Sequence, residues 1–298
     1  MNDPIEVHVT ELDWFFECGY RWMRQHEVGD WPETNTRPFM RGRAVHRARE
    51  HALAQFSGAD GAPAGRWPSF EDLREIAAQN LLLDMGGEDA RWDEEEEDYF
   101  WEDPAGERVI LGTMMAEEVE PYVRFDVEHV LPRYAGADIV AVEERWVIPI
   151  EDPDLDRAYA LTGKLDLLVR EPVSGRLVNH DLKTGSKITQ AAADLSPQLS
   201  GYSAGIHQLY GEWPLHALGS PRFLKSPPKK ISPGAVVAEV SEGVWGVYET
   251  VSTDRGPEDV TAFLARLKVF LTMREAGWFP PAKGGFMSPC QRCPHAFD

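Results

Sequence analysis

The sequence predicts an α/β (α+β) protein, a mixed β-sheet core flanked by helices and preceded by a helical region. Three observations carry this. Short apolar runs at 139–150, 160–169 and 177–183 are followed by a capped helix at 197–210, two more runs near 235–240 and 246–251, and a long helix at 257–276. Before these, the chain reads as helices joined by Gly- and Pro-rich or acidic stretches. Its apolar content, 43% of 298 residues, is ample for a core in one large or two modest domains.

In chain order, residues 9 to about 56 read as two helices, started by Thr10 and Asp13 in a pattern akin to a capping box. The aromatic residues Trp14, Phe15, Phe16, Tyr20 and Trp22 are expected in its core. The Gly/Ala-rich stretch 57–65 is a flexible joint, and a helix over 69–84 follows. The acidic tract from Trp92 to Trp101 reads as a solvated helix face, ahead of a nucleic-acid mimic or a basic-partner site. A helix from about 108 to 131 leads into the first core strand. Later, Ser196 and Pro197 begin a helix that Gly211 ends. The organisation expected is therefore a helical region over 1–135 carrying Cys18 and His46, a core over 136–276, and a cysteine-bearing segment over 277–298. No apolar run is long enough to cross a bilayer and the first residues lack a basic-apolar leader, so a cytoplasmic location is expected.

The chemistry concentrates in two short runs, Gly163-Lys164-Leu165-Asp166 and His180-Asp181-Leu182-Lys183-Thr184-Gly185. The stretch Glu171-Pro172-Val173-Ser174-Gly175 between them reads as a hairpin turn. If the turn centres between Val173 and Ser174, facing residues have numbers summing to 347. Asp166 then lies opposite Asp181, and period-2 alternation puts Lys183 on the same face as Asp181. Two carboxylates that close repel unless a cation sits between them, and hard oxygen ligands suit Mg²⁺ or Mn²⁺. Such a site points to phosphodiester chemistry. Glu143 and Glu144 on the preceding strand are at most supporting groups, and His180 and His207 are read as structural.

On the next helix Gln198 and Tyr202 are four apart and share a face. Together with Arg41-Gly42-Arg43-Ala44-Val45-His46 near the start, the pattern G-x-x-D, D-x-K, Q-x-x-x-Y resembles the PD-(D/E)XK nuclease superfamily. The similarity is to its RecB-like branch, which includes CRISPR-adaptation and phage single-strand DNA exonucleases. The resemblance spans nearly the whole chain. It implies a restriction-endonuclease-like core with an inserted helical lobe, and a metal-dependent DNA exonuclease, favouring single strands and 5′→3′ polarity. It further implies that His46, Asp166, Asp181 and the Leu182 carbonyl hold one or two divalent ions. Lys183 would act with Asp166 and Asp181 in catalysis, and Gln198 and Tyr202 would orient the strand. Relatives with an iron–sulfur cluster use one N-terminal and three C-terminal cysteines. Cys18, Cys290 and Cys293 match three of them, implying a [4Fe–4S] cluster, with Zn²⁺ as the alternative. The family spacing puts the fourth cysteine one position past Asp298, so His295 or a residue of a longer chain would complete the site. Implied partners are a recombination protein or a CRISPR integrase complex.

A net charge of −20 sits oddly with a nucleic-acid substrate, but its distribution matters more. All eight lysines lie at or after Lys164, and residues 213–238 contain no acidic side chain. Arg222, Lys225, Lys229 and Lys230 fall there, a candidate stretch for DNA-backbone contact. Two other readings remain, a non-catalytic DNA-end-binding or scaffold subunit, and a hydrolase of small phosphates. The intact D-x-K weighs against the first. The basic stretch and the lack of a Gly-rich phosphate loop weigh against the second.

Overall fold

The computed structural model describes residues 3–30, 37–58, 65–84, 90–102, 106, 108–184 and 188–280. Cys290, Cys293 and His295 lie outside the described residues. A seven-stranded mixed sheet forms the centre, built from β1 (Ile5–His8), β5 (Asp138–Ile150), β6 (Tyr159–Arg170), β7 (Leu177–Leu182), β8 (Leu215–Leu224), β9 (Val236–Ser241) and β10 (Val244–Asp254). Strands β2 (Arg91–Asp93), β3 (Asp98–Glu102) and β4 (Arg108–Ile110) make a separate three-stranded sheet.

Helices cover both faces of the large sheet. On one lie α3 (Arg37–Ser57), α4 (Phe70–Asp84) and a helical stretch from Leu111 to Tyr134, packed on Leu167, Val169, Val178, Leu182 and Ala217. That stretch runs as α5 (Leu111–Met114), a π-turn, α6 (Glu120–Phe125), a second π-turn and a closing 3₁₀ turn. On the other face lie α1 (Glu11–Glu17), α2 (Gly19–His26), α7 (Gln190–Leu195), α8 (Pro197–Tyr210) and α9 (Pro257–Glu275), packed on Trp146, Leu161, Leu165, Leu168 and Leu218. Pro197 at the first position and Gly211 at φ +73° bound α8, as the cap signals predict.

β6 is the hub. β5 pairs along its whole length on one side. On the other side β1 pairs only with 159–162 and β7 only with 167–170. Among the described residues, 163–166, which carry the G-K-L-D run, therefore have no strand beside them there. The hairpin register follows the predicted sum, Leu167 facing His180 and Arg170 facing Leu177. The ladder stops one pair short of Asp166 and Asp181, while β7 keeps its parallel pairing with β8 from Val178 to Leu182, with Asp181 beside Leu218.

Several expectations need correction. The described part of the first fifty-odd residues forms a strand and three helices, since Cys18 breaks α1 from α2, and β1 joins the main sheet by pairing with β6. The acidic tract is a β-turn region, with Glu94–Glu97 between β2 and β3, where like charges fan out into solvent. The helix expected from 108 begins at Leu111, after β4. Within 213–238, Leu215–Leu224 form a strand, β8, inserted between β7 and β10 and carrying Arg222, while Lys225, Lys229 and Lys230 lie in the loop that follows it.

Helix α8 lies close on the sheet because glycine faces Trp146. A Cβ on Gly205 would come within 2.4 Å of the indole, and one on Gly163 within 2.5 Å. Trp146 is thus clamped between β6 and α8 and only 2% exposed. Gly205→Ala is expected to cost about 1–3 kcal/mol by overpacking, read as a lower urea midpoint with unchanged slope.

Candidate metal centre

Helix α3 carries His46 over the gap in the sheet. Its approach is close at Gly42, where an added Cβ would lie 2.7 Å from the Thr184 hydroxyl, so the residue after Lys183 rests on the helix one turn before His46. One turn further, Arg49 and Asp126 form a bidentate ion pair (2.8 and 2.5 Å), with Arg49 8% and Asp126 3% exposed. The Arg49 guanidinium also sits over the Tyr248 ring. A buried pair of this kind fixes the height and rotation of α3, since separating it would leave an uncompensated charge.

The site itself is built from four elements, α3, β5, β6 and β7. His46 Nε2 lies 3.0 Å from Asp166 Oδ2, and His46 Nδ1 lies 3.3 Å from Glu143 Oε1 on β5. The Glu143 carboxylate also pairs with Lys164. Because β7 has left β6, the Leu182 N–H is free of a ladder partner and donates to Asp166 Oδ2 at 2.9 Å. In an extended residue N–H and C=O share an edge, so the Leu182 carbonyl is on the same side. Asp181 is 7% exposed and binds Lys183 Nζ at 2.8 and 3.0 Å. His46, Glu143, Asp166, Asp181 and Leu182 line one partly open cavity of about 20 Å³, room for a single water or ion.

The electrostatics follow from the crowding. Burial opposes a charged His46, but the hydrogen bonds and charges of Asp166 and Glu143 prevail and hold its pKa up at about 10. Burial likewise opposes the Asp166 carboxylate, yet His46, the Leu182 N–H and Lys183 keep its pKa below the usual range. Asp181 goes the other way. Burial raises it to about 6, opposed by Lys183 and reinforced by the negative charge of Asp166. Two carboxylates that compete in this way have an unmet demand for positive charge.

The donor set fits a hard divalent ion. One ligand atom each from His46, Glu143 and Asp166 lie within 4.8 Å of one another, with Glu143 on Nδ1 of the imidazole and Asp166 on Nε2, and an imidazole nitrogen beside carboxylate oxygen suits Mn²⁺ or Mg²⁺. Asp181 and Leu182 border the same cavity.

Of the residues expected from the sequence, the fold brings together His46, Asp166, Asp181, Leu182 and Lys183. Gln198 donates to the Tyr202 hydroxyl at 2.8 Å. Burial and the nearby Asp181 charge push that phenol well up. The Tyr202 ring is only 5% exposed and meets Trp146 edge-on, so it has no free face for a base to stack on. Arg222, near the end of β8, is ion-paired with Glu249 (2.5 Å), while Lys225, Lys229 and Lys230 beyond it are exposed. Sequence reasoning left Glu143 at the margin and missed a groove of about 460 Å³ leading to His46, lined by Phe39, Arg43, Arg47, Lys164 and Thr184. The signal was present in Arg43, His46 and Arg47, spaced three and four apart on α3.

The family model for the PD-(D/E)XK nuclease superfamily matches residues 7–297, and the chain belongs to that superfamily. Its mixed sheet flanked by helices agrees with the restriction-endonuclease-like core of that group. Among solved structures, a candidate exonuclease from Eubacterium rectale is similar at 10% identity and TM-score 0.44, over 96% of this chain and 87% of that one. SSO0001 is similar at 12% identity and TM-score 0.39, over 98% and 84%. No match emerged among curated proteins.

If the cavity takes an ion, saturating Mn²⁺ should raise the Tm, by roughly 2.7 kcal/mol of stability at a hundredfold excess over Kd. Asp166→Asn should lose most of that rise, as followed by differential scanning calorimetry.

Proposed function

We propose that the protein is a Mg²⁺- or Mn²⁺-dependent deoxyribonuclease of the RecB-like branch, working as an exonuclease on single-stranded DNA with 5′→3′ polarity. The observation that carries the reading is the single-ion cavity bordered by His46, Asp166, Asp181 and Leu182, with Lys183 bound to the buried Asp181. A divalent ion there supplies a Lewis acid for the scissile phosphate and a source of hydroxide near neutral pH. His46, Asp166, Asp181 and the Leu182 carbonyl would hold it.

The protein's own groups account for the rest. Lys183 has its pKa raised, because Asp181 and Asp166 outweigh the burial of its ammonium. It therefore stays charged at neutral pH and can offset the charge that builds on the phosphate oxygens or orient the attacking water. Gln198 and the Tyr202 hydroxyl form a hydrogen-bonded pair on α8 beside Asp181 and act as orienting donors. The DNA strand would approach along the Phe39–Arg43–Arg47–Lys164 groove, with Lys225, Lys229 and Lys230 as further backbone contacts. The acidic surface elsewhere would discourage non-productive binding. Action in the cytoplasm, with a recombination protein or CRISPR integrase complex as partner, accords with this reading.

Digestion of end-labelled single- and double-stranded oligonucleotides with Mg²⁺ and Mn²⁺ tests the activity, its strand preference and its polarity. Lys183→Ala is expected to lower kcat about 10²–10³-fold, in the range for loss of one electrostatic donor. Equal degradation by wild type and variant would remove the nuclease assignment.

We further propose that Cys18, Cys290 and Cys293 hold a [4Fe–4S] cluster, with zinc as the alternative metal. Two observations support this. Cys18 is buried and caps α2 by accepting from the Arg21 N–H. The chain after α9 returns to the same place, with Pro280 against Gly19 and Phe279 stacked near Trp22 at 6.0 Å. Iron and acid-labile sulfide in anaerobically purified protein are expected, and Cys18→Ser should abolish both. Zinc without sulfide would select the alternative.

A further inference from the structure

Glu143 stands in the middle of the thirteen-residue strand β5, yet its φ is +53°. Among the described residues only one other non-glycine, Glu97, has positive φ, and it lies in the turn between β2 and β3, an ordinary place for it. A side chain in this backbone region costs about 1–2 kcal/mol. The pairs on either side, Val142 with Leu167 and Glu144 with Leu165, are regular, while Glu143 and Asp166 face each other without a ladder pair. Inside–outside alternation slips at the same point. Val142 packs with Leu167 on the α3 side, whereas Trp146 and Ile148 pack on the α8 side. The effect is to aim Glu143 at α3.

There its carboxylate meets two groups. Oε1 is 3.3 Å from His46 Nδ1, and the other oxygen pairs with Lys164, two residues before Asp166. An imidazole can give a lone pair to a metal from one nitrogen only if the other carries the proton, and that proton needs a partner. Nε2 is the nitrogen 3.0 Å from Asp166. A carboxylate on Nδ1 thus selects the tautomer in which Nε2 faces the cavity. Lys164 keeps that carboxylate ionised and therefore an acceptor only.

From this geometry we propose that Glu143 is a positioning residue for the metal centre. Held by its left-handed backbone and by Lys164, it takes the Nδ1–H of His46 and turns Nε2 toward Asp166. The proposal rests on the metal-centre reading above. It predicts that backbone strain at one strand residue sets the affinity of a site to which that residue supplies no donor atom.

The test uses Mn²⁺ alone, titrated against the full chain with free Mn²⁺ followed by EPR, and two variants checked for folding by circular dichroism. Glu143→Gly should weaken Mn²⁺ binding about 10–100-fold, the usual loss when an outer partner of a metal-bound histidine is removed. Glu143→Gln keeps a carbonyl acceptor and should recover most of that affinity. In the Mg²⁺-loaded wild type, ¹H–¹⁵N spectra of the His46 ring should show the proton on Nδ1, and Glu143→Gly should lose that uniform state. Unchanged Mn²⁺ binding in Glu143→Gly, or a proton on Nε2 in the wild type, overturns the proposal. Equal losses in both variants overturn it in favour of direct ligation. A wild type that binds no Mn²⁺ overturns the metal-centre reading and this proposal with it.

Discussion

The contact on which the site depends is the acceptance of the Leu182 N–H by Asp166. It exists because β7 gives up β6 as a neighbour and continues beside β8. A backbone donor freed in a sheet interior must find a partner, and the carboxylate supplies one. The same divergence opens the space between the strands into which His46 projects from α3. Had β6 and β7 stayed paired for two more residues, the ladder would have closed over the cavity. The opening is thus a property of strand topology, and the side chains are placed around it.

Around that opening the molecule concentrates charge in a poorly solvated place and balances it group by group. Lys183 answers Asp181, Lys164 answers Glu143, and His46 stands between two carboxylates. Arg49 with Asp126 forms a closed pair just beneath. Burial above all, with the Asp166 charge added, drives Asp181 toward its neutral form, while His46, the Leu182 N–H and Lys183 hold Asp166 on the ionised side. An ion entering there would relieve a conflict already built into the fold.

Much of this was legible in the residues and some was not. The turn 171–175 set the hairpin register correctly, because its length and its Gly175 leave one centre for the fold-back. The cap signals around α8 were equally direct. Strand β8 was hidden because Gly219 and Pro221 interrupt it and no alternation marks Leu215–Leu224, which is buried on both faces over much of its length. β1 was missed because four residues are too few for a period to show. The acidic tract misled because composition does not distinguish a solvated helix face from a solvated turn. Glu143 could be marked only as a neighbour, since a positive φ within a strand arises from tertiary demand and leaves no trace in spacing. Tyr202 was expected to orient the strand, and the burial of its ring against Trp146 reflects how closely Gly205 lets α8 approach.

That approach has a wider consequence. The indole of Trp146 touches the backbone of two elements at glycine positions, Gly163 three residues before Asp166 and Gly205 three residues after Tyr202. With no side chain at either contact there is nothing soft to absorb a shift. The helix bearing Gln198 and Tyr202 and the strand bearing Asp166 are therefore held in close register by a single ring. Divergence of substrate preference among descendants of this chain would be confined to the loops and to the outer face of α3, because a tilt of α8 could not be accommodated without also displacing the acid.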